Sequence, residues 1–111
     1  MAREQFQTLT EPMYYILLAL LEECCGVDIM EKVEFLSRGR VKVGPGTLYA
    51  MLSKFEENDV IQLTHAVGRK KSYIITENGR TMLQKEYDRL RMMLEDGRAV
   101  KGDSSLEHFE R

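Results

Sequence analysis

The chain has 111 residues, 43% of them hydrophobic and 31% charged, and a net charge of −2. That length supports one domain with one modest core and excludes a two-lobed enzyme scaffold, while the composition excludes a disordered, collagen-like or purely coiled-coil chain. The charge is unevenly spread: residues 1–37 carry two bases and seven acids, 38–73 seven bases and three acids, 74–98 five of each, and 99–111 two bases and three acids.

Residues 1–10 are polar, with Phe6 and Leu9 as isolated apolar positions. Thr10 before Glu11-Pro12 predicts a helix start, the hydroxyl as N-cap and the acid and proline in the first turn. Tyr14, Leu17, Leu18 and Leu21 then fall on one helical face, widened by Ile16 and Leu20, so this helix is expected to be buried over much of its circumference. The apolar run Met13–Leu21 is about half of a bilayer span and follows no leader-like segment, so the expectation is a cytoplasmic protein with no membrane partner. Cys24 and Cys25, adjacent at the end of this pattern, suit a reduced, partly buried pair better than a strained disulfide between neighbours; a redox sensor is the other reading.

Gly26 interrupts the pattern, and Val27, Ile29, Met30, Val33 and Leu36 begin a second helix that stops at Ser37-Arg38-Gly39. Arg40–Val43 alternates like a short strand. Gly44-Pro45-Gly46 opens a third helix with Leu48, Met51, Leu52 and Phe55 inward, ended by Asn58-Asp59. The period then changes from helical to two: Ile61–Ala66 and Ser72–Thr76 flank a Val67–Lys71 turn, a hairpin with a basic tip. Thr76 to Gly79 caps a long final helix with Leu83, Tyr87, Leu90 and Leu94 on a seam suited to a partner helix. The methionines Met82, Met92 and Met93 read as gap-fillers.

This order predicts a mainly α fold with a small β-hairpin. It is a winged helix-turn-helix over residues 8–76, with an additional long C-terminal dimerisation helix over 77–97 and a mobile tail over 98–111. The final helix is longer than so small a domain can cover, which calls for a second copy; Tyr14, Leu83, Tyr87, Leu90 and Leu94 are the candidate dimer interface.

The outward residues of the third helix are Thr47, Tyr49, Ala50, Ser53 and Lys54, hydroxyls and a lysine around a small residue that permits close approach. Gly46 belongs with them, since backbone N–H groups behind the glycines can meet a phosphate. Arg69, Lys70 and Lys71 at the hairpin tip, with Arg38, Arg40 and Lys42 on the other flank, would give a cationic track on each side of a groove. Each feature also has a plain structural reading: a polar helix face, a soluble turn, and, for Tyr73, a core residue as readily as a phosphate donor. Taken together they favour double-stranded DNA.

His65 and His108 lack companions at metal spacing, and no nucleophile, phosphate-loop, dinucleotide or paired-carboxylate motif occurs. The expectation is no catalytic residue, no metal and no cofactor.

Three stretches, "LTEPMYYILLALLEE", "VGPGTLYAMLSKFEENDVI" and "GRKKSYIITENGRTML", resemble the PadR family of transcriptional regulators over roughly residues 8–97. The most specific parts are Pro45-Gly46-Thr47-Leu48-Tyr49 followed by Leu52, and Tyr73 to Gly79 read as Y-x-x-T-E-x-G. The resemblance implies a dimeric winged-helix repressor released from its operator by an effector, of the smaller size class with a single C-terminal helix. It also implies DNA contacts from Tyr49 and its neighbours, with the hairpin tip on the flanking backbone or minor groove. Cys25-Gly26-Val27 lacks the aromatic that usually follows this glycine, and there is no tryptophan for an aromatic drug sandwich, so the resemblance names no effector. Two other classes remain: a winged-helix protein-interaction module without DNA binding, and a protein that is primarily a small-molecule sensor.

Overall fold

The structure is a computed structural model and describes residues 8–101. In chain order it holds α1 (Glu11–Ala19), β1 (Cys24–Cys25), α2 (Gly26–Leu36), α3 (Pro45–Glu57), β2 (Ile61–Val67), β3 (Lys70–Ile75) and α4 (Glu77–Lys101). Thr10 caps α1 as its position predicts, its Oγ1 accepting from the Met13 N–H at 3.3 Å, with Pro12 in the first turn. One face of α1 buries Ile16 and Leu17 completely, against Ile29 and Val33 of α2 and Leu48, Leu52 and Phe55 of α3 in a single core.

Several short segments differ from the expectation. The apolar run continues to Leu21, but α1 stops at Ala19 because the Leu20 carbonyl accepts from the Ile75 N–H at 2.9 Å and turns the chain into the sheet. Cys24 and Cys25 therefore form a strand instead of a helix end, pairing antiparallel with Tyr73 and Ser72, and the sheet has three strands in the order β1-β3-β2. Gly26 consequently does not break the chain between helices; it is the first residue of α2.

Arg40–Val43 forms no strand, although its alternation is real, with Val41 and Val43 buried and Arg40 and Lys42 exposed. The Val41 N–H donates at 2.9 Å to the hydroxyl of Ser37, a fully buried residue, so a side chain satisfies the backbone where a ladder would have done so.

The hairpin is tighter than the sequence suggests. Gly68 and Arg69 alone turn the chain, with Gly68 at φ +60°, as a two-residue connection with glycine in its first position demands. A bulge between Leu63 and His65 leaves Thr64 without a ladder partner, and Glu23 accepts from the Thr64 hydroxyl at 2.6 Å and meets His65 Nδ1 at 2.5 Å. These contacts hold the Glu23 carboxyl below its ordinary value, the Thr64 hydrogen bond first.

At the start of α4 the Thr76 hydroxyl accepts from the Gly79 N–H at 3.0 Å and donates to the carbonyls of Asp59 (2.7 Å) and Val60 (2.9 Å). A cap and a tether to the start of β2 thus share one side chain, which gives the Thr76-x-x-Gly79 spacing its physical content. The helix runs four residues beyond the expected end at 97, so residues 98–101 are helical; the remainder of the tail, with His108, lies outside the described residues, as does Phe6.

The whole is a winged helix-turn-helix, α2 and α3 forming the helix pair and β2–β3 the wing, with one long C-terminal helix. Among the described residues no helix is long and apolar enough to cross a membrane.

Candidate nucleic-acid interface

Because Leu48, Leu52 and Phe55 point into the core, the helical period turns Thr47, Tyr49, Ala50, Ser53 and Lys54 outward, and all five are exposed. Met51 is half-buried against the core. Pro45 lies in the first turn of α3, Gly44 is its N-cap with no side-chain hydrogen bond, and a Cβ at Gly44 or Gly46 would meet nothing within 4 Å. The N-terminus of α3 therefore presents bare backbone in open space.

Tyr49 projects from α3 toward the start of α2. Together with Cys25, Gly26, Val27 and Asp28 on one wall and Arg69, Lys70 and Lys71 on the other, it lines an open groove of about 480 Å³. Three of the cations found in the sequence are thus brought beside the third helix, and the groove joins α2, α3 and the wing.

The other flank is not assembled in the same way. Arg40 Nη2 donates to the Tyr15 hydroxyl of α1 at 2.9 Å, and Lys42 Nζ lies 3.9 Å from the Glu34 carboxylate of α2. Arg38 is exposed at φ +57°, in the turn that leaves α2. These three residues do not line the groove shared by Tyr49 and the wing.

Tyr73 is a correction. It is 5% exposed, belongs to the core, and its phenol is pushed up chiefly by burial, so of its two readings the structure shows the core one. Burial likewise pushes up the Cys24 thiol, which keeps it protonated and a poor nucleophile. The Cys25 Sγ donates to Asp28 Oδ2 at 3.4 Å, and both cysteines are free and buried.

On the opposite side, α4 crosses α1 beside Tyr14. Two grooves flank that residue, one walled by Leu18, Leu21, Leu83 and Tyr87, the other by Leu9, Tyr15, Glu86 and Leu90. Leu83, grouped in the sequence with the outward seam, is 7% exposed and spent on the domain's own core. Past Glu86 no residue of α4 is buried, and Tyr87, Leu90 and Leu94 are exposed together with Met92, Met93 and Val100. Met82 packs on the core, in keeping with the gap-filling reading, whereas Met92 and Met93 are exposed on the single chain.

Sequence reasoning missed Glu86, which is buried in α4 and receives two hydrogen bonds from Arg89; that interaction above all holds its carboxyl below the ordinary value. Its i,i+3 spacing to Arg89 was a visible signal. Among the described residues no group of three or more His, Cys, Asp or Glu side chains could hold a metal ion.

Comparison with known proteins agrees with this architecture. The family model described as "Transcriptional regulator PadR-like family" matches residues 16–85. The transcriptional regulator YqjI of Escherichia coli strain K12 is 27% identical over 70 residues, covering 63% of this chain and 34% of that one, so the matched part spans about a third of that relative. Among solved structures, a PadR-like transcription factor from Bacteroides fragilis superposes with a TM-score of 0.66 at 25% identity, over 78% of this chain and 86% of that one. A PadR family transcription regulator from Clostridium difficile does so with a TM-score of 0.62 at 21% identity, over 78% and 96%.

Proposed function

The chain belongs to the PadR-like family of transcriptional regulators, and from that premise we propose that it is a dimeric, sequence-specific repressor that binds a palindromic DNA operator and is released by an effector. The observation that carries this reading is the groove in which Tyr49 of α3 meets Arg69, Lys70 and Lys71 of the wing, beside the exposed Thr47, Ala50, Ser53 and Lys54. Lys54 on the exposed face of α3 and Arg69, Lys70 and Lys71 on the wing, in a chain of net charge −2, concentrate positive potential where a phosphate backbone would lie.

In this reading α3 enters the major groove, its short hydroxyl side chains meet base edges and phosphates, and the bare backbone around Gly46 approaches the strand closely. The wing tip neutralises flanking phosphates. A second copy, joined along Tyr87, Leu90 and Leu94, sets the other α3 about one helical turn away, ~10 bp, or a multiple of it. An effector that binds one state of the dimer preferentially shifts DNA affinity by linkage; the grooves beside Tyr14 are where α1 and α4 leave room for one. No catalytic step is assigned to any residue, and the protein is expected to act in the cytoplasm.

The test is fluorescence anisotropy with a labelled duplex from the DNA upstream of the protein's own coding region, at two salt concentrations, with unrelated DNA as competitor. Salt-sensitive binding that survives competition supports the reading. Equal loss to any competitor leaves a non-specific basic surface. No binding at low salt favours a protein-interaction module, for which the acidic α2 face and Phe35, 80% exposed, would be the contact surface.

A further inference from the structure

Gly26 stands where a glycine has no local reason to be. It opens α2 with ordinary helical backbone, since the positive-φ glycines among the described residues are Gly39 and Gly68, and in a helix alanine is preferred to glycine. It is buried, yet the chain already turns before it, through β1.

The reason lies across the groove. A Cβ on Gly26 would land on the Tyr49 hydroxyl and stand 2.9 Å from Cζ and 3.1 Å from Cε1 of the same ring. All three nearest atoms belong to that one side chain. The hydroxyl end of the Tyr49 ring is therefore laid upon the bare backbone at the start of α2, while 45% of the residue stays exposed. Gly44 and Gly46, beside the same interface, show the contrast, because a Cβ at either meets nothing within 4 Å.

We propose that Gly26 is a positioning residue for DNA binding: the notch it leaves in α2 seats the Tyr49 ring so that its hydroxyl shares one phosphate-binding groove with Arg69, Lys70 and Lys71. This rests on the DNA-binding reading above. A tyrosine free to rotate on an exposed helix face would lose rotamer freedom on meeting a phosphate, and a seated one has already lost it. The notch also fixes which side of α3 the hydroxyl serves. The hydroxyl lies against the start of α2, in the groove whose other wall is Arg69, Lys70 and Lys71, so the recognition helix and the hairpin tip act on the same stretch of backbone.

Binding and stability respond in opposite directions to a side chain at Gly26. The atoms that a new Cβ would displace are the far end of an exposed side chain that can swing away, and alanine suits the helix better than glycine. Gly26→Ala should therefore keep or raise the melting temperature while it unseats Tyr49.

The experiment is a double-mutant cycle of wild type, Gly26→Ala, Tyr49→Ala and the double variant, read as anisotropy Kd at low salt. Two labelled duplexes of equal length are used, one from the upstream region and one unrelated. We expect Gly26→Ala to weaken binding on the order of tenfold, within the range of one side chain's interaction with DNA. Tyr49→Ala should weaken it at least as much, and the double variant should match Tyr49→Ala. Wild-type affinity in Gly26→Ala, or penalties that multiply in the double variant, would overturn the proposal. Should Gly26→Ala fail to fold, the double variant, freed of the clash, must fold and bind like Tyr49→Ala; if it does not, the notch serves something other than Tyr49. Absence of wild-type binding to either duplex overturns the DNA-binding reading and this inference together, whereas normal wild-type binding with an unaffected Gly26→Ala overturns this inference alone.

Discussion

Gly79→Ala offers the sharpest test of how α4 is anchored. A Cβ at this position would land on the Val60 carbonyl oxygen and lie 2.6 Å from Ile75 Cγ1 and 3.1 Å from Val60 Cγ1. Neither neighbour can retreat cheaply. The Val60 carbonyl accepts from both the N–H and the hydroxyl of Thr76 at 2.9 Å, and the Ile75 N–H is bonded to the Leu20 carbonyl at 2.9 Å. Overpacking of a filled core costs about 1–3 kcal/mol, and the clash here is with backbone, which selects the upper end. Alanine returns about 1 kcal/mol through its helix propensity. The net is a loss of about 2 kcal/mol, which in a domain of this size lowers the melting temperature by roughly 10 °C. Thermal unfolding followed by circular dichroism at one fixed protein concentration reads it, since self-association would otherwise move the midpoint. Gly46→Ala, where the Cβ has open space within α3, is the control and should be stabilising, by up to about 1 kcal/mol. A Gly79→Ala melting temperature at or above wild type would refute the close-approach argument.

Lys70→Ala and Lys71→Ala should weaken binding to every duplex and flatten the dependence of log K on log salt by about 0.9 for each phosphate that is no longer neutralised. Thr47→Ala and Ser53→Ala should instead change the ranking of sequences, as competition binding to a set of operator variants would reveal. Leu90→Glu with Leu94→Glu places two charges on the exposed part of α4, so sedimentation should show a single chain where the wild type is expected to sediment as two. The Glu86 carboxyl is held below its ordinary value of 4.5 by Arg89, so its stabilising contribution is complete above that value and is lost as pH falls through the lower folded-state value. Below about pH 4.5 the wild-type melting temperature should therefore fall more steeply than that of Glu86→Gln; parallel curves would remove Glu86 as a source of acid sensitivity.

The sequence carried the helices and the hairpin because each has a period or a cap to announce it: Thr10 before α1, Pro45 at the start of α3, Leu48, Leu52 and Phe55 as its inward stripe, and the switch to alternation at Ile61. What it did not carry are features settled by partners distant in the chain. A two-residue strand has no period, and Cys24-Cys25 becomes one only because Tyr73 and Ser72 pass beside it. Arg40–Val43 has the alternation of a strand without the ladder, since a buried serine hydroxyl four residues earlier answers its N–H. At the candidate interface, the exposure of Thr47, Ala50, Ser53 and Lys54 followed from the helical period alone. The engagement of Arg40 with Tyr15 and of Lys42 with Glu34, and the burial of Tyr73 and Leu83, depend on tertiary packing that no local pattern encodes.

The join between β3 and α4 has a mechanical consequence. Thr76 alone separates the wing from a 25-residue helix about 37 Å long, and its bonds to Asp59 and Val60 clamp the base of that helix to the reading head. In a dimer held along the far part of α4, each helix is a rigid shaft with a head fixed to its end. Removing one residue between Leu83 and Tyr87 would turn the head by about 100° and draw it in by about 1.5 Å. The phase between the two half-sites that such a protein accepts is then a property of shaft length, and can be changed without altering any residue that faces DNA.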